Sequence, residues 1–300
     1  MIRTFEEILS KAREKGPKTI AVAVAQDEDV LKAVYAAYKY GIINAVFVGD
    51  KEIIESIARE NGIDLDGFEI IDVKDKAEAC RIAVEQVRKG KASMLMKGFV
   101  DTSVVLKAVL DKEAGLMSGS LLSHVGVLKV EGYDRLFILS DAAMNIAPTL
   151  EEKVKIIENA VKVAHALGND NPKVAVLCAV EKVNPKMQAT LDADELAKMN
   201  ERGEIRGCTV GGPFALDNAV SVEAANHKGI KHPVAGHADV LITPDIEAGN
   251  LLNKSMEYFG RAEKAGIIMG AGAPIVLTSR ASSDESKLNS IALAVLISSK

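Results

Sequence analysis

Ser279 and Arg280 put a hydroxyl and a guanidinium side by side, after the apolar run Pro274–Thr278 and before a helical pattern at 284–298. A strand that ends in such a pair and feeds a helix presents both groups at the carboxyl edge of an α/β sheet, where ligands bind. The helix N-terminus adds unpaired N–H groups and the positive end of a dipole, so phosphate or another oxyanion is the expected guest. Ser282 with Glu285 reads as a capping box, and Asp284 sits favourably on the dipole. Capping accounts for those three residues but not for Ser279 or Arg280.

Four more stretches join a strand to a helix through polar or glycine-rich residues. Met96–Thr102 carries Lys97-Gly98, then Asp101 and Thr102, with Lys107 about one and a half turns into the next helix. That set can hold an anion by charge and backbone N–H groups, or be a snorkelling lysine followed by an ordinary N-cap. Ser140–Pro148 brings Asp141 and Asn145 among small residues ahead of a helix capped by Thr149 with Glu152; an Asx turn would explain the same pattern. Within Gly211–Ala219, Gly212-Pro213 lets backbone approach a ligand or a neighbouring loop, and Asp217 is placed to cap the next helix. Pro244–Asn250 makes a fifth junction. Together the five predict a cleft.

These loops need a layered α/β frame to hold them. Apolar strand patterns at Thr19–Ala25, Ala45–Gly49, Glu69–Val73 and Ser93–Gly98 alternate with helical patterns near 27–40, 51–61, 76–89 and 101–110, which reads as successive βαβ units. The rhythm breaks in the middle. Ser123–Val130 and Arg135–Ser140, separated by a short polar turn, predict a hairpin. Beyond it come a helix at 150–167, strands at Lys173–Val180, Asp239–Thr243 and Pro274–Thr278, and helices near 190–201, 216–227, 247–263 and 284–298. A boundary near 118–125 and a second crossing near 265–272 divide the chain into a discontinuous domain, 1–120 with 268–300, and a second domain, 121–267.

Bulk properties exclude several classes. The chain is 48% hydrophobic but only 4% aromatic, an aliphatic interior suited to parallel sheets under helices. A net charge of −5 argues against a nucleic-acid partner, which wants a basic face. The N-terminal segment is an amphipathic helix with acids rather than a signal, and no apolar run has membrane-spanning length. Cys80, Cys178 and Cys208 are scattered in or beside apolar segments, which predicts buried free thiols and a cytoplasmic location. The five histidines do not form a ligand spacing with the cysteines, so no metal is expected. Gly270-Ala-Gly272 precedes a strand instead of coming after one, the wrong context for a dinucleotide fingerprint.

Five segments, LMKGFVDTSVVLKAVL at 95–110, SDAAMNIAPTLEEKVKII at 140–157, GGPFALDNAVS at 211–221, PVAGHADVLITPDIEAGNLLNKSMEYFG at 233–260 and GAPIVLTSR ending at Arg280, resemble the phosphate acetyl/butyryltransferase family in order and spacing. The resemblance covers nearly the whole chain and leans to the butyryl branch. It implies a two-domain α/β fold like that of the isocitrate and isopropylmalate dehydrogenases, with a cleft between domains, and a homo-oligomer. It implies reversible acyl transfer between coenzyme A and inorganic phosphate, with acyl-CoA, phosphate and acyl phosphate as the partners and coenzyme A a substrate rather than a cofactor. Carried over by residue, it makes Ser279, Arg280 and Asp284 the catalytic set, Asp284 as proton acceptor. Lys97, Thr102, Lys107, Asn145, Gly212 and Pro213 become contacts for phosphate or coenzyme A. Lys107 stands where the acetyltransferases have arginine, which keeps the charge but loses the bidentate fork. Their aspartate base matches Ser286, and their site cysteine matches Ala142, so no cysteine-bound intermediate forms there. The competing readings are acetyl specificity, a dehydrogenase on the same fold, and a sensor that binds coenzyme A without releasing it from a thioester.

Overall fold

The computed structural model describes residues 1–278 and 282–298. The chain forms two compact units: Phe5–Ser120 with Ala265–Lys300, and Met1–Thr4 with Leu121–Lys264. The chain therefore returns to the first unit at Ala265, slightly earlier than the sequence pattern indicates, and its first four residues belong with the second.

The first unit contains α1 (Phe5–Lys15), β1 (Lys18–Ala23), α2 (Glu28–Lys39), β2 (Ile43–Gly49), α3 (Lys51–Glu60), β3 (Glu69–Asp72), α4 (Lys76–Arg88), β4 (Met94–Lys97) and α5 (Thr102–Val109). Its sheet runs β3-β2-β1-β4, all parallel, and continues to a returning strand, Ile275–Val276, parallel to β4. Central strands of a parallel sheet are covered on both faces and so read as unbroken apolar runs; Ile20–Ala23 and Met94–Met96 are completely buried. The loops into α2, α3 and α4 end in aspartates whose carboxylates accept an N–H of the first turn: Asp27 from Val30, Asp50 from Ile53 and Asp75 from Glu78.

In the second unit β5 (Ser123–Lys129) and β6 (Phe137–Ser140) are antiparallel, the predicted hairpin. α6 (Leu150–Ala166) comes next, opened by the Thr149–Glu152 capping box. Then come β7 (Lys173–Leu177), α7 (Gln188–Glu201), β8 (Thr209–Phe214), α8 (Leu216–Val220), α9 (Val222–His227), β9 (Val240–Ile242) and α10 (Ile246–Tyr258). Strand order is β5-β6-β9-β7-β8, parallel from β6 onward. β10 (Glu263–Met269) leads back to β11 (Ile275–Val276), antiparallel to it, and α11 (Asp284–Ile297) ends the described chain.

The structure departs from the sequence pattern at several places. Residues 209–214 form a strand although Gly211-Gly212-Pro213 disrupts the apolar pattern. The helix expected at 247–263 ends at Tyr258, and the crossing expected near 265–272 contains β10, whose Ile267 and Ile268 are fully buried. The helix expected at 216–227 breaks at Ser221, which adopts extended backbone and caps α9 through Ala224 N. Asp217 lies inside α8 and pairs with Lys228 rather than capping.

All three cysteines are buried and unpaired. Burial pushes each thiol up to about 11, so only about one in a thousand is thiolate at pH 8. The folded protein is expected to react with a disulfide reagent at that pH far more slowly than the same protein in denaturant. Fast labelling of one thiol in the folded state would contradict the buried placement.

Candidate active site

In the first unit the carboxyl ends of β1, β4 and β11 lie on neighbouring parallel strands, with Ala23 paired to Lys97 and Val276 to Met96. The chain therefore leaves one edge at neighbouring points, after Ala23, Lys97 and Val276. Ser279 and Arg280 lie outside the described residues.

Lys97 is buried, the last residue of β4. Its ammonium donates to the carbonyls of Gly98 and Val100, each at 3.2 Å. A cation removed from water needs such partners, and these bonds fold the loop around its own lysine. β1 holds the loop from the other side, since Gly98 N donates to Ala23 O and Phe99 N to Val24 O, both at 2.8 Å. Only glycine fits at 98, because a Cβ there would collide with the Val24 carbonyl. Val24 itself is fully buried at φ 58°, the left-handed region that a β-branched residue rarely enters. Strain of this kind marks sites where the surroundings dictate the backbone. The sequence pattern does not single out Val24 or Gln26, whose buried Oε1 has no hydrogen-bond partner.

Thr102 is the first residue of α5 and half-buried; Lys107 lies in the last turn of that helix, exposed. Asp284 is the first residue of α11 and is exposed. The cap of that helix is Ser283, which accepts from Ser286 N at 3.2 Å, so the expected Ser282–Glu285 box is shifted by one residue. Ser282 is instead buried, and its carbonyl accepts from the Lys287 ammonium at 2.6 Å. Lys287 also escapes a reading of the sequence, since nothing in SDESKLNS distinguishes a buried lysine from a surface one.

In the second unit the loop after β6 is closed by its own polar groups. The buried Asp141 carboxylate accepts from His124 N, Ala143 N, Met144 N and the Asn145 side-chain amide. Asn145 also donates to Leu122 O at 2.9 Å, so its amide N–H groups hold the loop against β5. The loop is further fixed from β9 and α10: Thr243 Oγ1 donates to Asp141 O at 3.0 Å and Asn250 Nδ2 to Ala142 O at 3.2 Å. Gly249 admits this approach, because a Cβ would meet the Asp141 carbonyl. His124 stands beside this loop with a buried, unpartnered Nδ1; burial pushes its imidazole pKa down, against the pull of Asp141. Gly212 and Pro213 lie within β8, and the close approach that Gly212 permits is made to Val176 and Ala193.

In the first unit Lys97 ends β4 and Thr102 opens α5, and in the second Asn145 bonds to Asp141 in the loop after β6. Among the described residues no group of three or more His, Cys, Asp or Glu converges as a metal-ligand set, and no helix is long and apolar enough to cross a membrane.

The family model for phosphate acetyl/butaryl transferase matches residues 3–81 and 74–295. A phosphate butyryltransferase of Clostridium beijerinckii is 52% identical over 300 residues, all of this chain and 99% of that protein. A phosphate acetyltransferase of Thermotoga maritima is 47% identical over 292 residues, 97% of this chain and 99% of that one. The crystal structure of a branched-chain phosphotransacylase from Enterococcus faecalis superposes with a TM-score of 0.83 at 36% identity, covering 93% of this chain and 98% of that one. With a family match over nearly its full length, and relatives this similar from end to end, the chain belongs to the phosphate acetyl/butyryltransferase family.

Proposed function

We propose that the protein transfers an acyl group reversibly between coenzyme A and inorganic phosphate, with butyryl preferred: butanoyl-CoA and phosphate give butanoyl phosphate and coenzyme A. The observation that carries this reading is the 52% identity, end to end, with a butyryltransferase. The acetyltransferase at 47% keeps acetyl as the second reading. We further read the fold as that of the isocitrate and isopropylmalate dehydrogenases, used here without a nicotinamide.

The reaction asks for charge and placement. A phosphate oxygen attacks the thioester carbonyl, a C–O bond forms, the C–S bond breaks, and coenzyme A leaves as a thiolate. Nucleophile and developing oxyanion are both negative, so fixed positive charge lowers the barrier. Arg280 binds the phosphate, Ser279 donates a hydrogen bond to the reacting group, and Lys107 and Thr102 add charge and a hydroxyl from α5. Lys97 acts by shaping the loop that its ammonium closes and by its field. Asn145, Gly212 and Pro213 shape backbone against the substrates. In the reverse direction Asp284, exposed at the start of α11, accepts the thiol proton. Holding both substrates together supplies the rest, with no acyl-enzyme and no metal.

We also propose a cytoplasmic homo-oligomer. Support for association comes from α10 and its C-cap, where Leu251, Tyr258 and Phe259 are 69%, 67% and 89% exposed. Apolar side chains grouped on one element are what a subunit interface covers.

Chain-length preference is read from kcat/KM. One methylene is worth about 1–3 kcal/mol in an apolar pocket, so butyryl-CoA is expected to exceed acetyl-CoA by at least about tenfold. Equal or better turnover of acetyl-CoA would move the protein to the acetyl branch.

A further inference from the structure

Lys287 is buried to 3% exposure in the first turns of α11, a helix packed on nearly every side. Its charge opposes the helix dipole there, and burial penalises the ammonium further. An apolar side chain would fill the space without either cost. The ammonium donates to Ser282 O at 2.6 Å and lies 3.4 Å from Asp29 Oδ2, in the first turn of α2. Ser282 is the second residue after Arg280. Lys97 and Lys287 are the two buried lysines of the first unit among the described residues, and each donates to carbonyls of a loop at the same sheet edge.

We propose that Lys287 is a positioning residue for phosphate binding. It fixes the Ser282 carbonyl against α2, and so anchors the start of α11 two residues after Arg280 in the sequence. The inference rests on the acyl-transfer reading and extends it to a residue that touches no substrate. Asp29 is the outer half of the strut, tying Lys287 to the helix that comes after β1.

The test compares parent, Lys287→Met, Lys287→Arg and Asp29→Asn in phosphate-dependent release of coenzyme A from butyryl-CoA. Lys287→Met is expected to raise the KM for phosphate at least about tenfold and lower kcat, while the KM for butyryl-CoA moves less than about threefold. Lys287→Arg, which keeps the charge and the donors, should recover part of the loss. Asp29→Asn separates placement from field: removing a negative charge alone would favour phosphate, whereas loosening the strut raises its KM. A Lys287→Met protein with phosphate KM within about twofold of the parent, or with both KM values raised equally, overturns the assignment. If that variant fails to fold, Asp29→Asn decides, and an unchanged or lower phosphate KM overturns it. No release by the parent protein would instead remove the acyl-transfer reading, and this inference with it.

Discussion

Arg280→Ala is expected to lower turnover of butyryl-CoA with phosphate by about a hundredfold or more, with an unchanged thermal unfolding midpoint. Removing one preorganised donor from a developing oxyanion costs about that much in other acyl-transfer sites, and here the nucleophile is also an anion. On the proposed roles, phosphate is then left with Lys107, whose ammonium acts as a point charge and not as a planar fork. Arg280→Lys is accordingly expected to recover only part of the rate. Steady-state kinetics on both variants, with phosphate and acyl-CoA varied separately, make the check. Near-normal turnover in Arg280→Ala would refute the role.

The second large effect concerns stability. Lys153 and Asp192 join α6 to α7 through an ion pair of 2.6 Å, with side chains only 6% and 10% exposed, and Gln188 Nε2 donates to the other carboxylate oxygen at 2.8 Å. Exposed pairs on this protein, such as Lys32–Glu28, are worth little, because water and salt screen them. Breaking a buried pair has a different consequence: the remaining charge is left in the interior without a partner. Asp192→Ala or Lys153→Met is therefore expected to cost about 3–5 kcal/mol, read as a drop in the midpoint of denaturant unfolding. The double variant Lys153→Met with Asp192→Leu should recover most of that loss, since no charge stays behind. Single variants that lose less than about 1 kcal/mol would show that water reaches the pair.

Much of the frame is legible in the sequence because α/β units announce themselves by local chemistry. The helical patterns near 27–40, 51–61 and 76–89 and the Thr149–Glu152 box mark helices that the structure reproduces, the first three opened by aspartate caps. The polar turn after Ser123–Val130 marks the hairpin. β8 is hidden because glycines and a proline inside a strand look like a turn, and here they serve close packing against Val176, Ala193 and His232. β10 is hidden because Ala265-Gly266 looks like a crossing, while its burial depends on β11 as its partner.

The candidate site divides in the same manner. Ser279-Arg280 and Lys97 stand out by residue type at the end of a strand pattern. Val24, Gln26 and Lys287 do not, since their importance comes from a left-handed turn, an unpaired buried oxygen and a buried ammonium. Asn145 is visible, but the hydrogen bonds that make it a brace between Asp141 and Leu122 are not. Family resemblance supplies the roles; the structure supplies the frame that holds them.

The acyl-transfer reading is tested most directly by thiol release from butyryl-CoA, monitored with and without inorganic phosphate. Release that requires phosphate, matched one for one by acyl phosphate formed, is the predicted result. Release at the same rate without phosphate, or tight binding of butyryl-CoA with no release, would contradict it.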